Sequence, residues 1–392
     1  MPKLLFGEPA PTFHAPSLSN PRFNFDTVAG RPVFLVFLGS PAGDAARRLI
    51  AEINAERAAF DDDNLLMFYV VSDPGDLERL GVEQLIPGIR YFLDHDRNIA
   101  ARYGFAAATS EGEPVNASGP VEAGVVALDR ALRCLQAFAA GDLGSRPIVA
   151  PLIDGVRRLA AWQATAPNID HAPVLVVERI FEPSFCRMLI DFYERTGGQD
   201  SGFMREQDGL TVGKVDHSFK RRRDCLIEDE KLRTAAMTRV YRRLAPIIRR
   251  AYQYDPTRIE RHIVARYDAE EGGFFKPHRD NTTKGTAHRR FAVTINLNAE
   301  EYEGGDLRIP EFGQRAYRAP TGGAVVFSCS LLHEALPVTK GTRHAYLPFL
   351  YADEDAEVRK RNLVFLDKAS GGKVDVSKPA PPTPEKSKKK KP

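Results

Sequence analysis

The hydrophobic pattern of the chain changes at residues 164–172, so one fold does not account for its whole length. Before this point, continuous apolar runs at 33–38 and 65–72 alternate with stretches of helical periodicity, which is typical of buried strands in α/β folds. The segment 164–172 (ATAPNIDHA) has the composition of a linker. Because 392 residues exceed one ordinary domain, we predict two folded domains, at 1–165 and 173–367.

The first domain is predicted to be an α/β fold whose last two strands are antiparallel. Its predicted helices cover 44–59, 97–103 and 147–162, the last starting at a proline, which suits a first helical turn. Its predicted strands are 33–38, 65–72, 91–93, 124–129 and 133–138.

The second domain begins with helices and continues with strands. A strand at 174–181 precedes a helix at 182–198 and a longer helix at 229–252, which Pro246 should kink or divide. Runs with β character follow at 261–267, 291–297, 306–309, 324–328 and 344–351. This order predicts helices packed on a β-barrel or jelly roll.

The last residues, 368–392, have the composition of a disordered tail, with Gly-Gly, several prolines and the run KSKKKK. They contain eight lysines against Asp375 and Glu385, whereas the whole chain has a formal net charge of only +3. The folded part is therefore net acidic. We expect any affinity for nucleic acid to depend on this basic tail.

Cysteine spacing and hydropathy bear on the compartment. The four cysteines are far apart and form no CxxC pair, which favours free thiols in a reducing environment. No apolar run approaches the roughly 20 residues that cross a bilayer, and the N-terminus lacks the apolar core of a secretory signal. We therefore expect a cytoplasmic protein without membrane contact.

A candidate metal site begins at His278 and Asp280 in FFKPHRD. Residues two apart on a strand point to the same side, so this pair can present an imidazole and a carboxylate to one ion. The pair alone is a weak signal. A second histidine, His333, follows a strand-like run, and two histidines with one carboxylate form the facial triad of non-haem Fe(II) proteins.

Arg343 follows His333 by ten residues and starts another β-like run. A hairpin would place this run beside the strand that carries His333. A guanidinium there can hold a carboxylate through two parallel hydrogen bonds.

Together these residues resemble a known family. Residues 173–353 resemble the prolyl 4-hydroxylase-like branch of the 2-oxoglutarate/Fe(II) dioxygenases, through motifs that occur in the family's order: Tyr267 in ARYDAEEGG, His278-x-Asp280, RFAVTINLN, EGGDLRIP, PTGGAVVF, His333 and Arg343. The resemblance implies a double-stranded β-helix, which is a jelly roll with flanking helices.

The resemblance also implies roles for the site residues. His278, Asp280 and His333 would hold Fe(II) and form the catalytic centre. Arg343 would bind the distal carboxylate of 2-oxoglutarate, where classical prolyl hydroxylases have lysine, and Tyr267 would add a hydrogen bond. O2 is the second cosubstrate, and ascorbate is a further cofactor of such enzymes.

The implied reaction hydroxylates a C–H bond of a protein side chain, peptide or amino acid, with succinate and CO2 as co-products. The alternatives are an oxygenase acting on nucleic acid or another small metabolite, and a non-catalytic two-domain scaffold. Nucleic-acid demethylases of this class have a second arginine six residues after the 2-oxoglutarate arginine, where this chain has Phe349. The prime substrate stays open, since its recognition falls to loops, which we place at 200–222 and 281–290.

The first domain resembles the thioredoxin-fold peroxiredoxins, through GEPAPTFHAPSL, GRPVFLVFL, VVSDPGD, LDHDRNIAARYG and GVVALD. Alignment of the first core strand puts Ala46 at the position of that family's nucleophilic cysteine, and the first cysteine of the chain is Cys134. Without a thiolate in that loop, peroxidase chemistry is not expected. We predict a redox-inactive module that binds a protein partner or self-associates.

Basic residues in the second domain have two interpretations. The run KRRR at 220–223 and the arginines of the helix at 229–252 are most simply a solvated loop and a solvated helix face. The functional alternative is contact with an acidic substrate or with nucleic acid.

Overall fold

The structure is a computed structural model, and it describes residues 3–17, 20–39, 43–108, 117–144, 146–165, 171–367 and 376–377. It divides into two compact units. The first comprises Met1–Ala172 together with Ile309–Arg315, and the second comprises Pro173–Arg308 and Ala316–Pro392. The second unit thus starts at the residue where the sequence predicts the second domain.

The first unit contains nine strands and four α-helices within its described residues. They are β1 (His14–Ser17), β2 (Asn20–Asn24), β3 (Val33–Phe37), α1 (Asp44–Ala55), β4 (Leu66–Val71), α2 (Pro74–Arg79), β5 (Ile89–Leu93), α3 (Asn98–Arg102), β6 (Ala107–Ala108), β7 (Ala117–Ser118), β8 (Gly124–Leu128), β9 (Cys134–Ala139) and α4 (Val149–Thr165). Short 3-10 turns lie at Phe25–Val28, Arg57–Ala59, Ala140–Leu143 and Pro310–Phe312.

A five-stranded sheet in the order β5-β4-β3-β8-β9 forms the centre of this unit. Strands β3, β4 and β5 are parallel, whereas β8 and β9 run antiparallel. The antiparallel final pair that the sequence predicts is therefore present. Strands β3 and β4 are buried at every position, as their uninterrupted apolar runs require.

Both faces of this sheet are covered by apolar side chains. On one face, alternate residues of the strands pack with α1 and α4, including Val36, Leu49 and Ile153. On the other face, aromatic rings stack, with Phe68 and Phe92 at a centroid distance of 4.6 Å. The period-2 alternation of strand side chains distributes a continuous apolar run between two cores.

The second unit contains nineteen strands and four α-helices within its described residues. They are β10 (Leu175–Val177), α5 (Pro183–Thr196), β11 (Gln199–Asp200), β12 (Phe203–Gln207), β13 (Leu210–Lys214), β14 (Lys220–Arg221), β15 (Arg223–Leu226), α6 (Glu230–Arg239), α7 (Ala245–Tyr252), β16 (Arg258–Glu260), β17 (Ile263–Asp268), β18 (Phe274–His278), β19 (Phe291–Asn296), β20 (Glu303–Gly304), β21 (Leu307–Arg308), β22 (Ala316–Tyr317), β23 (Ala324–Ser328), β24 (His333–Ala335), β25 (Val338–Lys340), β26 (Thr342–Tyr346), β27 (Phe349–Tyr351), α8 (Asp353–Asn362) and β28 (Val376–Ser377). A π-helical turn covers Val240–Leu244, and 3-10 turns cover Lys284–Thr286 and Leu363–Phe365.

Two sheets position the candidate site. The larger has ten strands and includes β17, β26, β19 and β27 as neighbours, and the smaller has five strands in the order β14-β18-β24-β21-β22. A small core of buried residues joins the two, with Tyr267 and Ala345 from the larger sheet and Phe275 and Ala335 from the smaller. Facing strands from both sheets therefore point their side chains into one interior.

The helices cover the outer face of the larger sheet. Leu189 of α5, Met237 of α6 and Ile248 of α7 belong to one buried cluster with Val264 and Tyr346 of the sheet. The long predicted helix is divided, as expected at Pro246. A π-helical turn at Val240–Leu244 separates α6 from α7, because the proline ring cannot continue the regular hydrogen-bond pattern.

Part of the predicted tail is structured. Val376 and Ser377 form β28, which pairs with Glu260 and Ile259 of β16, so the prediction of disorder is wrong for these two residues. Their short β-compatible run meets an available strand edge. The other tail residues lie outside the described part of the chain.

All four cysteines are buried and unpaired, in agreement with the expectation of free thiols. Within the described ranges, we find no helix that combines the length and the apolar character needed to span a bilayer.

Candidate metal centre

His278, Asp280 and His333 converge on one point. His278 ends β18 and lies opposite His333, the first residue of β24. The Asp280 carboxylate approaches the Nε2 atoms of His278 and His333 at 3.7 and 3.3 Å. All three ligand atoms lie within 4.8 Å of one another. Two ligands about 2 Å from one first-row divalent ion are separated by roughly 3–4 Å, so this spacing suits a metal site.

Asp280 reaches the site from outside the strand. Strand β18 ends at His278, and the Asp280 amide donates to the carbonyl of Cys329 at 3.0 Å. The prediction that both side chains point the same way holds, although the second residue belongs to the bend that follows the strand. The hydrogen bond to Cys329 ties this bend to the segment leading to His333.

Backbone carbonyls set the tautomers of both histidines. The Nδ1 atom of His278 lies 2.8 Å from the Lys276 carbonyl, and that of His333 lies 3.0 Å from the Leu331 carbonyl. A carbonyl only accepts, so each Nδ1 carries the proton. Each Nε2 therefore offers its lone pair to a cation, as in most histidine metal sites.

Electrostatics keep the triad ready for a cation. Burial, together with the neighbouring His333, lowers the pKa of His278 well below 6.5. Burial alone would raise the pKa of Asp280, but the His333 and His278 rings outweigh it and lower that pKa far below its usual range. At neutral pH the site thus presents a neutral His278 and an ionised carboxylate.

Aromatic rings hold the histidines in place. The Phe275 ring stacks on His278 at a centroid distance of 3.5 Å, and the Phe327 ring lies 4.5 Å from that of His333. These contacts limit rotation of the imidazoles and support the preorganised ligand geometry.

Arg343 is buried on the facing sheet with only 4% of its surface exposed. Its Nη1 donates to the Gly305 carbonyl at 2.7 Å, and its Nη2 donates to Thr294 Oγ1 at 3.0 Å. Both partners are neutral, and Nε has no partner. Among the described residues, no carboxylate pairs with this buried guanidinium. Burial of its unpaired charge is unfavourable unless a ligand supplies the negative charge.

Tyr267 lies next to Arg343, since the two residues are cross-strand partners on β17 and β26. The Arg343 guanidinium lies 5.0 Å from the Tyr267 ring centroid. The Tyr267 hydroxyl accepts a hydrogen bond from Arg222 Nη1 at 3.3 Å. The structure therefore brings together the two residues that the sequence proposes for 2-oxoglutarate.

The predicted hairpin between the strands of His333 and Arg343 is wrong. Strand β24, with His333, belongs to the five-stranded sheet, whereas β26, with Arg343, pairs with β17 and β19 of the larger sheet. The intervening strand β25 pairs with β20 instead. The chain thus crosses from one sheet to the other, and Arg343 faces the interior from the opposite wall.

Sequence reasoning missed part of the site. The run KRRR was favoured as a solvated loop, but Lys220 and Arg222 are buried, at 4% and 7% exposure. A signal was present, because residues 220, 222 and 224 alternate with exposed Arg221 and Arg223 as a strand pattern would. Thr294 and Arg261 were also missed, and neither carries a sequence signal that distinguishes it.

Parts of the chain are similar to known proteins in sequence. The PKHD-type hydroxylase of Delftia acidovorans is 34% identical over 106 residues, which are 25% of this chain and 47% of that protein. Procollagen-lysine,2-oxoglutarate 5-dioxygenase 1 of Gallus gallus is 34% identical over 114 residues, 27% of this chain and 14% of that protein. The chain thus spans less than half the length of these curated relatives.

Among solved structures, Peroxidoxin BcpB from Mycobacterium tuberculosis has 13% sequence identity and a TM-score of 0.31, and the overlap covers 40% of this chain and 98% of that one.

The triad fits iron, because two imidazoles and one carboxylate on one side of an ion are the donor set of non-haem Fe(II) oxygenases. Residues 262–351 match the family model of the 2OG-Fe(II) oxygenase superfamily. This interval contains Tyr267, the triad and Arg343. The cofactors of that superfamily are Fe(II), 2-oxoglutarate and O2. The second unit of the chain therefore contains a 2OG-Fe(II) oxygenase domain, with hydroxylases among its relatives.

Proposed function

We propose that the protein is a 2-oxoglutarate- and Fe(II)-dependent dioxygenase that hydroxylates a C–H bond of a protein side chain, peptide or amino acid. Succinate and CO2 would be the co-products. The observation that carries this proposal is the convergence of His278, Asp280 and His333, with a buried, anion-deficient Arg343 on the facing wall. The hydroxylase relatives support it, and one of them is named for a lysine side chain of procollagen.

Each residue has a role that follows from its surroundings. His278 and His333 supply Nε2 donors, and Asp280 supplies the negative charge that favours a divalent cation. Arg343 would bind the distal carboxylate of 2-oxoglutarate through a guanidinium already oriented by Gly305 and Thr294. When bound, iron supplies the oxygen chemistry of the superfamily, and the buried interior shields it from water.

Tyr267 would support cosubstrate binding from the same wall. Its ring packs beside Arg343, and its hydroxyl, held by Arg222, retains a proton to donate. We also infer that the two facing sheets form the double-stranded β-helix of this enzyme class. Ascorbate is proposed as a further cofactor.

The nucleic-acid alternative has less support. Phe349 occupies the position where a second arginine is expected in demethylases, and it is buried. Two of the helix arginines are engaged within the unit, because Arg239 and Arg243 both pair with Glu182 at 2.6 and 2.5 Å. The non-catalytic scaffold is disfavoured because every ligand of the triad is retained.

For the first unit we propose a peroxiredoxin-like module without peroxidase activity, which binds a protein partner or self-associates. Ala46, at the position of the nucleophile, is buried near the start of α1. Burial raises the pKa of Cys134 to about 11, and the negative charge of Glu8 contributes in the same direction. This thiol therefore stays protonated. We further propose a cytoplasmic location, with polyanion affinity confined to residues 368–392.

A substrate screen tests the proposed function. Cell extract fractions are added to the purified protein with Fe(II), 2-oxoglutarate and O2, and succinate is measured against His278→Ala. The proposal predicts a fraction that stimulates succinate formation in the wild type alone, and the hydroxylated product is then identified by its added oxygen. Stimulation that is equal in His278→Ala would contradict it.

A further inference from the structure

Two cations near the metal centre have no carboxylate partner among the described residues. Lys220 lies on β14, beside the strand that ends at His278, and its Nζ sits 4.6 Å from the Phe275 ring centroid. That ring in turn stacks on His278. Lys220 Nζ donates to Ser201 Oγ at 2.7 Å and to the Gly202 carbonyl at 2.6 Å. Both acceptors are neutral, although the lysine is almost fully buried.

Arg261 approaches the centre from the other side. Its Nε and Nη2 donate to the Leu347 carbonyl at 3.3 Å, a neutral acceptor. Its guanidinium lies 4.5 Å from the Phe349 ring centroid, and that of Arg289 lies 4.1 Å from the same ring. Arg289 Nη1 in turn donates to the Asp280 carbonyl at 3.4 Å. Arg261 is thus three contacts away from a metal ligand, and its side chain is partly buried.

The backbone of Arg261 is unusual for its residue type. Its φ of +69° lies in the left-handed region, which is unfavourable for a residue with a Cβ. From this turn the side chain contacts the Leu347 carbonyl and the Phe349 ring. Strain at a position that aims a cation into a site is a feature of functional residues.

Charge accounting leaves a surplus of two positive charges at Lys220 and Arg261, although Asp224, the partner of Arg222, also attracts both of them. Arg222 pairs with Asp224 at 2.7 Å, and Arg289 pairs with Glu260 at 2.7 Å. In the proposed enzyme, the charge of Arg343 would be balanced by a carboxylate of 2-oxoglutarate, and that of Asp280 by the metal ion. Fe(II) and the 2-oxoglutarate dianion carry opposite charges of equal size, so their binding leaves the surplus at Lys220 and Arg261 in place. Burial lowers the pKa of Lys220 well below its usual value and that of Arg261 to about 10, so an anion that completes the site would favour the charged form of both side chains.

We propose that the prime substrate carries a carboxylate, which Arg261 contacts and which the field of Lys220 stabilises. This inference rests on the proposed hydroxylase function and narrows its substrate class. Among amino acids and peptides, the carboxylate is either an acidic side chain or a free α-carboxylate. A neutral substrate would leave both cations without a counter-charge in the closed interior.

Three matched probes test the inference. N-acetyl-glutamine methylamide is neutral, N-acetyl-glutamate methylamide has a side-chain carboxylate, and N-acetyl-glutamine has a free α-carboxylate. Each is titrated into the full-length protein loaded with Mn(II) and saturating 2-oxoglutarate. Relaxation of the probe protons by Mn(II) then reports both affinity and proximity to the metal, independently of turnover.

At least one anionic probe should bind about tenfold or more tightly than the neutral probe, since hydrogen bonds to a charged group are stronger than those between neutral groups. The anionic probe with the higher affinity shows whether the carboxylate is that of a side chain or a free α-carboxylate. Arg261→Gln should remove this preference, Arg261→Lys should keep part of it, and Lys340→Gln, an exposed cation of the same unit, should keep all of it. Thermal unfolding checks that each variant is folded.

Equal affinity of all three probes for the wild type, or an undiminished preference in Arg261→Gln, would overturn the inference. Should Arg261→Gln fail to fold, Lys220→Met is predicted to reduce the preference in the same titration, and no reduction there would overturn it. Succinate formation without substrate, measured on the wild type, reports separately on the proposed function. A protein that forms succinate but shows no anionic preference loses only the substrate inference.

Discussion

His278 and His333 are cross-strand partners on the antiparallel strands β18 and β24, and the Asp280 carboxylate lies 3.7 and 3.3 Å from their Nε2 atoms. Residues 55 positions apart in the chain thus become adjacent through one register. A shift of that register by one residue would turn His333 away from His278. The register of a single strand pair therefore determines whether the triad exists.

Arg343→Ala should weaken 2-oxoglutarate binding by about 2–5 kcal/mol, the usual cost of removing one partner of a buried charge pair. Arg343→Lys should lose less, because it keeps the charge but not the forked geometry. Affinity is measured with Fe(II) under anaerobic conditions. Arg187→Ala, which removes an exposed cation of the same unit, is the control. Unchanged affinity in Arg343→Ala would rule out its assigned role.

Gly305→Ala should weaken 2-oxoglutarate binding indirectly. A Cβ at Gly305 would lie 2.8 Å from Val338 Cγ2 and 3.2 Å from Arg343 Cδ, so Arg343 must shift. We expect a loss on the order of tenfold, equivalent to about 1.4 kcal/mol, which is typical of overpacking. Gly197→Ala is a matched control, because its φ of +76° is similar but its Cβ would meet open space. An equal loss in both variants would attribute the effect to backbone strain.

The buried pair of Arg222 and Asp224 should make stability depend on pH. Burial tends to raise the pKa of Asp224, but attraction to Arg222 and Lys220 outweighs it and lowers the pKa to about 2 from 3.8. The resulting stabilisation, about 2 kcal/mol, is complete above the unfolded-state pKa and is lost as the pH falls towards 2.

In the Asp224→Asn variant, residue 224 no longer titrates, so this pH dependence of stability is absent. The substitution also leaves Arg222 buried without its counter-ion, which should lower the free energy of unfolding at neutral pH by roughly 3–5 kcal/mol. Urea unfolding of both proteins at pH 7, 4 and 3 measures the difference in unfolding free energy. That difference should narrow as the pH falls below 4. A difference that stays constant over this range would contradict the linkage.

Cys134→Ser should leave hydroperoxide reduction unchanged at background level, because the thiol is buried at 1% exposure and stays protonated at neutral pH. The assay uses the full-length protein with a thiol reductant and an organic hydroperoxide. Robust turnover by the wild type that disappears in Cys134→Ser would refute the proposal that the first unit lacks peroxidase activity.

Much of the architecture was predictable because its patterns are local. The runs at 33–38 and 65–72 gave buried strands, and Pro246 marked the interruption of the long helix. The metal ligands were predictable as well, since His278 and Asp280 are two residues apart and their neighbours carry family motifs. Local spacing and residue type carry this information.

Pairing between distant strands was not predictable. The turn-like residues between His333 and Arg343 suggest a hairpin, yet β24 and β26 join different sheets because each finds its partners far away in the chain. Burial of Lys220 was signalled only by the alternation at 220–224, since its hydrogen-bond partners, Ser201 and Gly202, come from another segment. Contacts between segments that are distant in the chain determine both the strand pairing and the burial of Lys220.

Turnover of 2-oxoglutarate without a prime substrate tests the central claim most directly. The purified protein with Fe(II) and O2 should convert 2-oxoglutarate to succinate slowly, and His278→Ala should abolish this conversion because it removes one of three metal ligands. Metal content, measured by equilibrium dialysis, should fall in the same variant. Succinate formation that is undiminished in His278→Ala would contradict the assignment of the iron site.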